Sequence, residues 1–128
     1  MLARSLQPAP PPGEPRRIGN VEIRPEELQV LVDGQRAGLT VREFEILFVL
    51  AERLDRVVPR PEVYELVWGG KMPHRDRSVD VFVRKVRRKL ALCAPEWEFI
   101  HTHFGIGYRF KPEKVVPDSS AAPSPSGS

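Results

Sequence analysis

The sequence predicts an α+β domain with an N-terminal antiparallel sheet, three helices and a C-terminal β-hairpin. Three patterns predict this order. Apolar and polar residues alternate over 18–33, which is the period of β-strands. Apolar residues then recur at helical spacing in three stretches between 40 and 90. Beyond them, strand-like segments flank a Gly-x-Gly turn at 105–107.

The two ends of the chain differ in composition from its centre. Residues 1–16 are rich in proline, and residues 114–128 are rich in proline, serine and alanine. Because neither end can bury enough apolar surface to offset its chain entropy, we expect both to be disordered and the folded domain to cover 17–113. No apolar run is long enough to span a membrane, and the single cysteine, Cys93, suits a reducing compartment. We therefore expect a cytoplasmic domain.

The N-terminal sheet is predicted from an alternation that Pro25 interrupts at a turn or an edge. Asp33-Gly34 is a strong tight-turn signal that should send the chain back toward Leu39. The alternating apolar residues are Val21, Ile23, Leu28, Val30 and Val32.

The first two helices carry start and stop signals. Thr40 and Glu43 match a capping box, and the helix that they open should end near Arg53. Pro61 suits the first turn of a second helix, which should stop at Gly69-Gly70. The apolar positions of the two helices are Phe44, Leu47, Phe48, Ala51 and Leu54, then Val63, Leu66, Val67 and Trp68.

The third helix, predicted over 77–90 with Asp76 as its N-cap, has two unlike faces. Its apolar stripe consists of Val79, Phe82, Val83, Val86 and Leu90. Its opposite face carries Arg77, Val81, Arg84 and Arg88, with Lys85 and Arg87 on the flanks. The stripe should pack on a core and leave the basic residues in solvent.

Charge is concentrated in this third helix. Residues 75–90 hold seven basic and two acidic side chains, or +5, which leaves −2 for the rest of a chain of net charge +3. A solvated helix face is the ordinary explanation of such a run, but no acid follows Asp80 until Glu96 to pair with it. Local positive charge on a nearly neutral body instead favours phosphate binding.

The C-terminal hairpin is predicted beyond Pro95, with Gly105-x-Gly107 as its turn. The whole order is that of a helix-turn-helix unit with a β-wing. His101 and His103 should project from one side of a strand, but no further ligand is spaced to complete a metal site, so we expect neither metal nor cofactor. We assign five aromatic residues to the core: Phe44, Phe48, Trp68, Trp97 and Tyr108.

Four segments, in order over 21–110, carry a family resemblance: LTVREFEIL, VPRPEVYELVWG, RSVDVFVRKVRRKL and GIGYRF. Together they resemble the winged-helix effector domain of OmpR/PhoB-type response regulators of two-component systems. The resemblance implies a third helix that enters the major groove of double-stranded DNA and a wing, here 99–110, that reaches the minor groove. It also implies direct-repeat sites that pair monomers on DNA, and contact with RNA polymerase through a loop that here contains Gly70, Lys71, Met72 and His74.

The family's phosphorylatable aspartate lies in a separate N-terminal receiver domain, which this sequence lacks. Both a stand-alone regulator and an effector fragment fit the sequence, and Met1 slightly favours the former.

The predicted DNA contacts centre on the third helix. Arg77 resembles the family's phosphate-contacting arginine; a salt bridge to Asp80 is the alternative, and both could hold at once. Val81 is either a contact for a thymine methyl group or simply an exposed valine. The full predicted set is Arg75, Arg77, Ser78, Val81, Arg84, Lys85, Arg87, Arg88, His103, Phe104 and Arg109. Arg84, Lys85 and Arg88 are the candidates for base contacts, with phosphate anchoring as the alternative.

The wing departs from the family pattern. Arginine commonly precedes the first glycine of that turn, but here the residue is Phe104. Phe104 should pack beneath the wing, with an apolar wedge against DNA sugars as the alternative. Arg109 or His103 would then supply a weaker phosphate contact.

We expect a sequence-specific double-stranded DNA-binding regulator of transcription. The alternatives are a winged helix used mainly for protein contact and, less favoured, a non-specific nucleoid protein. The sequence shows neither a phosphate-cradling glycine loop joined to Lys-Ser/Thr nor a nucleophile with an evident base, so an enzyme is not expected.

Overall fold

A computed structural model describes residues 14–115. Four antiparallel strands in the order β1-β2-β3-β4 form the N-terminal sheet: β1 Arg16–Ile18, β2 Val21–Arg24, β3 Gln29–Val32 and β4 Gln35–Arg36. Asp33 and Gly34 have φ values of 53° and 79°, as a two-residue type I′ hairpin requires, so the predicted tight turn is confirmed. Pro25 begins a one-turn 3-10 helix, Pro25–Glu27, between β2 and β3.

Three helices follow: α1 Val41–Glu52, α2 Arg60–Trp68 and α3 Ser78–Cys93. The capping box at the start of α1 is confirmed, because the Thr40 hydroxyl accepts from the Glu43 N–H while the Glu43 carboxylate accepts from the Thr40 N–H. Leu54 lies beyond the end of α1 and is half exposed, so it is not the core residue that its spacing indicated.

A second sheet carries the wing, in the order β5-β7-β6, with β5 Val57–Pro59, β6 Trp97–His103 and β7 Gly107–Lys114. The sequence predicted a two-stranded hairpin and missed β5, which is only three residues long and pairs with β7, about fifty residues away. A Cβ on Gly107 would lie 2.0 Å from the Val58 carbonyl oxygen. Glycine is therefore required for β5 to lie this close to β7.

The core lies between the sheets and the helices, and α1 packs against α3. Of the aromatic residues assigned to it, Phe44 and Tyr108 are buried, while Phe48, Trp68 and Trp97 are partly buried against its edge. The predicted disordered tails fall mainly on 1–13 and 116–128, which lie outside the described residues. Strand β1 begins at Arg16 and β7 ends at Lys114, each one residue beyond the predicted domain of 17–113.

Candidate nucleic-acid interface

Helix α3 separates its two faces as its sequence pattern predicts. Val79, Val83, Val86 and Leu90 are buried against the rest of the domain. Arg84, Lys85 and Arg88 are exposed, and Val81 lies among them with 39% of its surface exposed. One side of α3 is thus attached to the core and the other is open to a ligand.

The start of α3 differs by one residue from the prediction. Arg77, and not Asp76, is the N-cap residue, and its side chain is exposed. Asp76 instead bridges to Ser78, accepting from the backbone N–H at 3.0 Å and from the hydroxyl at 3.2 Å. The Ser78 hydroxyl therefore already has an acceptor within the turn.

The basic residues of this region divide into free and engaged groups. Among residues 14–115, the side chains of Arg75, Arg77, Arg84 and Arg88 have no carboxylate or hydrogen-bond partner. Lys85 has none either, although its Nζ lies 4.8 Å from the centroid of the Phe82 ring. These five exposed cations can meet phosphate without breaking an existing bond.

Arg87 belongs to the engaged group, although it was predicted to contact DNA. Its Nε donates to the Ile100 carbonyl at 3.0 Å, a second guanidinium nitrogen donates to the Thr102 hydroxyl, and the group lies over the Tyr108 ring. These bonds hold α3 against β6, and we expect a guanidinium that is engaged in this way to contribute less to DNA contact than the free ones.

Lys89 is engaged on the opposite side of the helix. Its Nζ lies 2.8 Å from an oxygen of Glu43, which is 3% exposed. Burial opposes ionisation of this carboxyl, but hydrogen bonds from Lys89 and Thr40 outweigh it and lower the Glu43 pKa.

Asp80 ties α3 to both α2 and the wing. Its carboxylate accepts from Arg60 Nε at 2.7 Å and from the Tyr108 hydroxyl. Burial works against the charged form, but these two hydrogen bonds and the guanidinium charge hold the Asp80 pKa below its usual value. The predicted alternative of an Arg77–Asp80 salt bridge is not formed, because Arg60 is the only basic residue within 4.0 Å of the Asp80 carboxylate among residues 14–115, although the Arg77 charge also helps to lower the Asp80 pKa.

The cations of the wing are also engaged. Arg109 donates through Nε to His103 Nε2 at 3.0 Å and through a terminal nitrogen to Asp55 at 2.7 Å. The two residues predicted as weaker phosphate contacts, Arg109 and His103, are thus bonded to each other. His101 donates from Nε2 to the Lys111 carbonyl at 2.8 Å, and residues 14–115 contain no cluster of side chains suited to a metal ion.

Phe104 overturns the packing prediction. It is 89% exposed at the tip of the wing, and Ile106, two residues on, is 55% exposed. A phenylalanine packed beneath the wing would be buried, so this expectation is wrong.

The loop between α2 and α3 presents Gly70, Lys71 and His74 to solvent, while Met72 is half-buried. Arg75 adopts a left-handed φ of 62° just before α3. Within 14–115, no helix combines the length and apolarity needed to cross a membrane.

The architecture and the open cationic face of α3 define a winged helix-turn-helix domain of the DNA-binding class. Residues 34–110 match the family model described as "Transcriptional regulatory protein, C terminal". The chain belongs to this family and is of the OmpR/PhoB type.

The relatives agree with this assignment. The chain is 36% identical over 109 residues to the transcriptional regulatory protein PrrA of Mycobacterium leprae, covering 84% of this chain and 46% of that protein. It is 33% identical over 100 residues to a probable transcriptional regulatory protein of Picosynechococcus, covering 78% and 40%. The chain thus spans less than half the length of these relatives.

Solved structures give the same fold. The DNA-binding domain of Klebsiella pneumoniae RstA, crystallised with the RstA box, superposes with a TM-score of 0.69 at 30% identity over 77% of this chain and 97% of that one. The CpxR DNA-binding domain of E. coli superposes at 0.68 and 28% identity over 77% and 96%. These neighbours do not favour the alternative of a winged helix used mainly for protein contact.

Proposed function

We propose that this chain binds double-stranded DNA in a sequence-specific manner and regulates transcription, with α3 as the recognition helix in the major groove. One observation carries the proposal. Arg77, Arg84, Lys85 and Arg88 surround Val81 on the face of α3 opposite the core, and none has a carboxylate partner among residues 14–115. Like charges on a face without acids repel one another, and the phosphates of a polyanion such as DNA would neutralise them.

The chemistry of each side chain determines which part of the DNA it can contact. An arginine can donate two hydrogen bonds to the O6 and N7 atoms of guanine, and an apolar side chain can contact a thymine methyl group. We assign base contacts to Val81, Arg84, Lys85 and Arg88, and phosphate contacts to Arg75 and Arg77 near the helix start. The Ser78 hydroxyl, turned toward Asp76, contributes to the helix start and reaches DNA only if that bond opens.

The proposal extends to the oligomeric state of the protein and to its partners. The RstA domain was crystallised with a DNA box, and this chain shares its fold. We propose that the chain is a monomer in solution that pairs on direct-repeat half-sites, and that Gly70, Lys71, Met72 and His74 contact RNA polymerase. We also propose that it acts in the cytoplasm and without catalysis.

Selection from a random duplex pool at near-physiological salt, followed by sequencing of the bound fraction, tests the proposal. An enriched motif, repeated about one helical turn apart, is expected. Binding without enrichment would indicate an architectural role, and absence of binding would overturn the proposal. Sedimentation of the free protein at micromolar concentration should show a monomer, and a stable dimer would contradict the pairing on DNA.

A further inference from the structure

Two apolar side chains project into solvent from the turn at the tip of the wing. Strands β6 and β7 are joined through 103–106, where the Ile106 N–H donates to the His103 carbonyl at 2.9 Å. Gly105 has a φ of 79°, which suits the third position of a type II turn and leaves Phe104 at the second. The turn holds Phe104, at 89% exposed, and Ile106, at 55%, in solvent.

This projection has a defined place relative to the recognition helix. The Arg60 N–H donates to the Ile106 carbonyl at 3.3 Å, and the Arg60 side chain donates to Asp80. The Tyr108 hydroxyl donates to the same carboxylate. These bonds connect the turn, through Arg60 and Tyr108, to the first turn of α3, the helix that we propose to bind DNA.

Among residues 14–115, the wing strands offer no free cation that could be placed in a groove at the tip. Arg109 is bonded to Asp55 and His103, and Lys111 lies 3.8 Å from Asp55 and 3.7 Å from Glu113. The hydrogen bond from Arg109, together with the charges of Lys111 and Arg109, lowers the Asp55 pKa and so favours the charged carboxylate that Arg109 pairs with. Contact at the tip must therefore come first from the phenyl ring.

We propose that Phe104, supported by Ile106, acts as an apolar wedge in the minor groove beside the site of α3, and that it selects DNA by the deformability of one base step. This inference rests on the proposed function and deepens it. An apolar side chain that opens a step must offset lost stacking, and pyrimidine–purine steps such as TA and CA unstack most easily. Specificity would then arise at a position that forms no hydrogen bond with the protein.

The free cations of α3 favour DNA over a protein as the occupant of the tip. Arg77 and Arg84 are exposed on the helix to which the tip is tied, and they attract a polyanion.

The test uses the full chain and the duplex that the selection enriches. Duplexes are synthesised with TA, CA, AA or GC at the base-pair step that faces the wing, and the affinity of the protein for each duplex is measured by fluorescence anisotropy. We expect the wild type to prefer TA and CA by about fivefold to tenfold over GC. Phe104→Ala should reduce this ratio to about one, and Phe104→Leu, which keeps an apolar side chain, should retain part of it. Leu28→Ala removes a half-exposed leucine between the 3-10 helix and β3 and should leave the ratio unchanged.

A second readout reports unstacking directly. 2-Aminopurine at the facing step should brighten when the wild type binds, and it should not brighten with Phe104→Ala. Because Phe104 is exposed, the variant should unfold at the wild-type temperature, which separates this effect from misfolding.

The possible results distinguish a failure of the proposed wedge from a failure of the proposed DNA binding. If wild type and Phe104→Ala show the same step ratios on a duplex that both bind, the wedge is wrong and readout by α3 stands. If the wild type binds no duplex, the proposed function fails. If Phe104→Ala keeps the step ratios but loses binding to RNA polymerase, the tip is a protein contact and the wedge is overturned.

Discussion

The hydroxyl of Tyr108, in strand β7 of the wing, donates a hydrogen bond to the carboxylate of Asp80, in the recognition helix. Two guanidinium groups also lie over the Tyr108 ring, that of Arg60 at 5.6 Å and that of Arg87 at 5.5 Å from its centroid. Burial and the bond to Asp80 raise the Tyr108 pKa, so the phenol remains a donor at neutral pH. Through this residue, α2, α3 and the wing are held at one relative orientation.

Removing the Tyr108 hydroxyl should loosen this unit. Tyr108→Phe deprives a partly buried carboxylate of one donor, a loss of roughly 1–3 kcal/mol in the free energy of unfolding, measured by urea denaturation. Operator affinity should fall while the salt dependence of binding stays unchanged, because no phosphate contact is lost. Unchanged stability and affinity would show that Arg60 alone holds Asp80.

Arg84 and Arg87 form a matched pair for testing which cations meet DNA. Each is replaced by methionine, which removes the charge and keeps much of the apolar stem. Arg84→Met should reduce the slope of log affinity against log salt by about one if it contacts phosphate, or relax specificity at one base pair if it contacts guanine. Arg87→Met should leave the slope near the wild-type value and lower stability, since it loses the bonds to Ile100 and Thr102. The reverse pattern would place Arg87 at the interface.

Glu43 should make stability depend on pH. Its pKa in the folded state lies below the ordinary value of 4.5, so its contribution is fully present above that pH and is lost as pH falls through the folded pKa. Asp80, whose pKa is also lowered, adds to the loss below its ordinary value of 3.8. Thermal unfolding from pH 7 down to pH 3 measures the loss.

The Glu43→Gln variant distinguishes the contribution of Glu43 to acid sensitivity from that of Asp80. The variant should be less stable at pH 7, because Lys89 loses its charged partner, and its decline with acid should be shallower. An identical pH profile in both proteins would assign the acid sensitivity to groups other than Glu43.

Gly107 and Gly105 should differ sharply in their tolerance of alanine. A Cβ at Gly107 meets the Val58 backbone, so Gly107→Ala should cost more than about 3 kcal/mol or prevent folding. At Gly105 a Cβ meets no atom within 4 Å, and only the positive φ is unfavourable, at a cost of roughly 1 kcal/mol. Thermal unfolding of both variants measures the difference, and equal losses would exclude close approach of β5 as the cause.

Local signals made much of the fold predictable. The capping box at Thr40, the Asp33-Gly34 turn and the proline in the first turn of α2 act within a few residues, so the sequence alone determines them. The two faces of α3 also follow from its sequence, since helical spacing sets which side chains share a side. Its basic outer face therefore indicated nucleic acid before any contact was known.

Which basic residues are free and where Phe104 lies depend on contacts between distant parts of the chain. Arg84 and Arg87 look alike in sequence, but Arg87 meets the edge of β6, while Arg84 faces solvent. Strand β5 exists because β7 pairs with it, and three residues carry too little pattern to reveal such a distant partner. The exposure of Phe104 depends on how the turn projects from the sheet. Sequence determines the periodic and capping features because their physics is local. Ion pairing, strand partners and exposure are set by residues far apart in the chain, which only folding brings together.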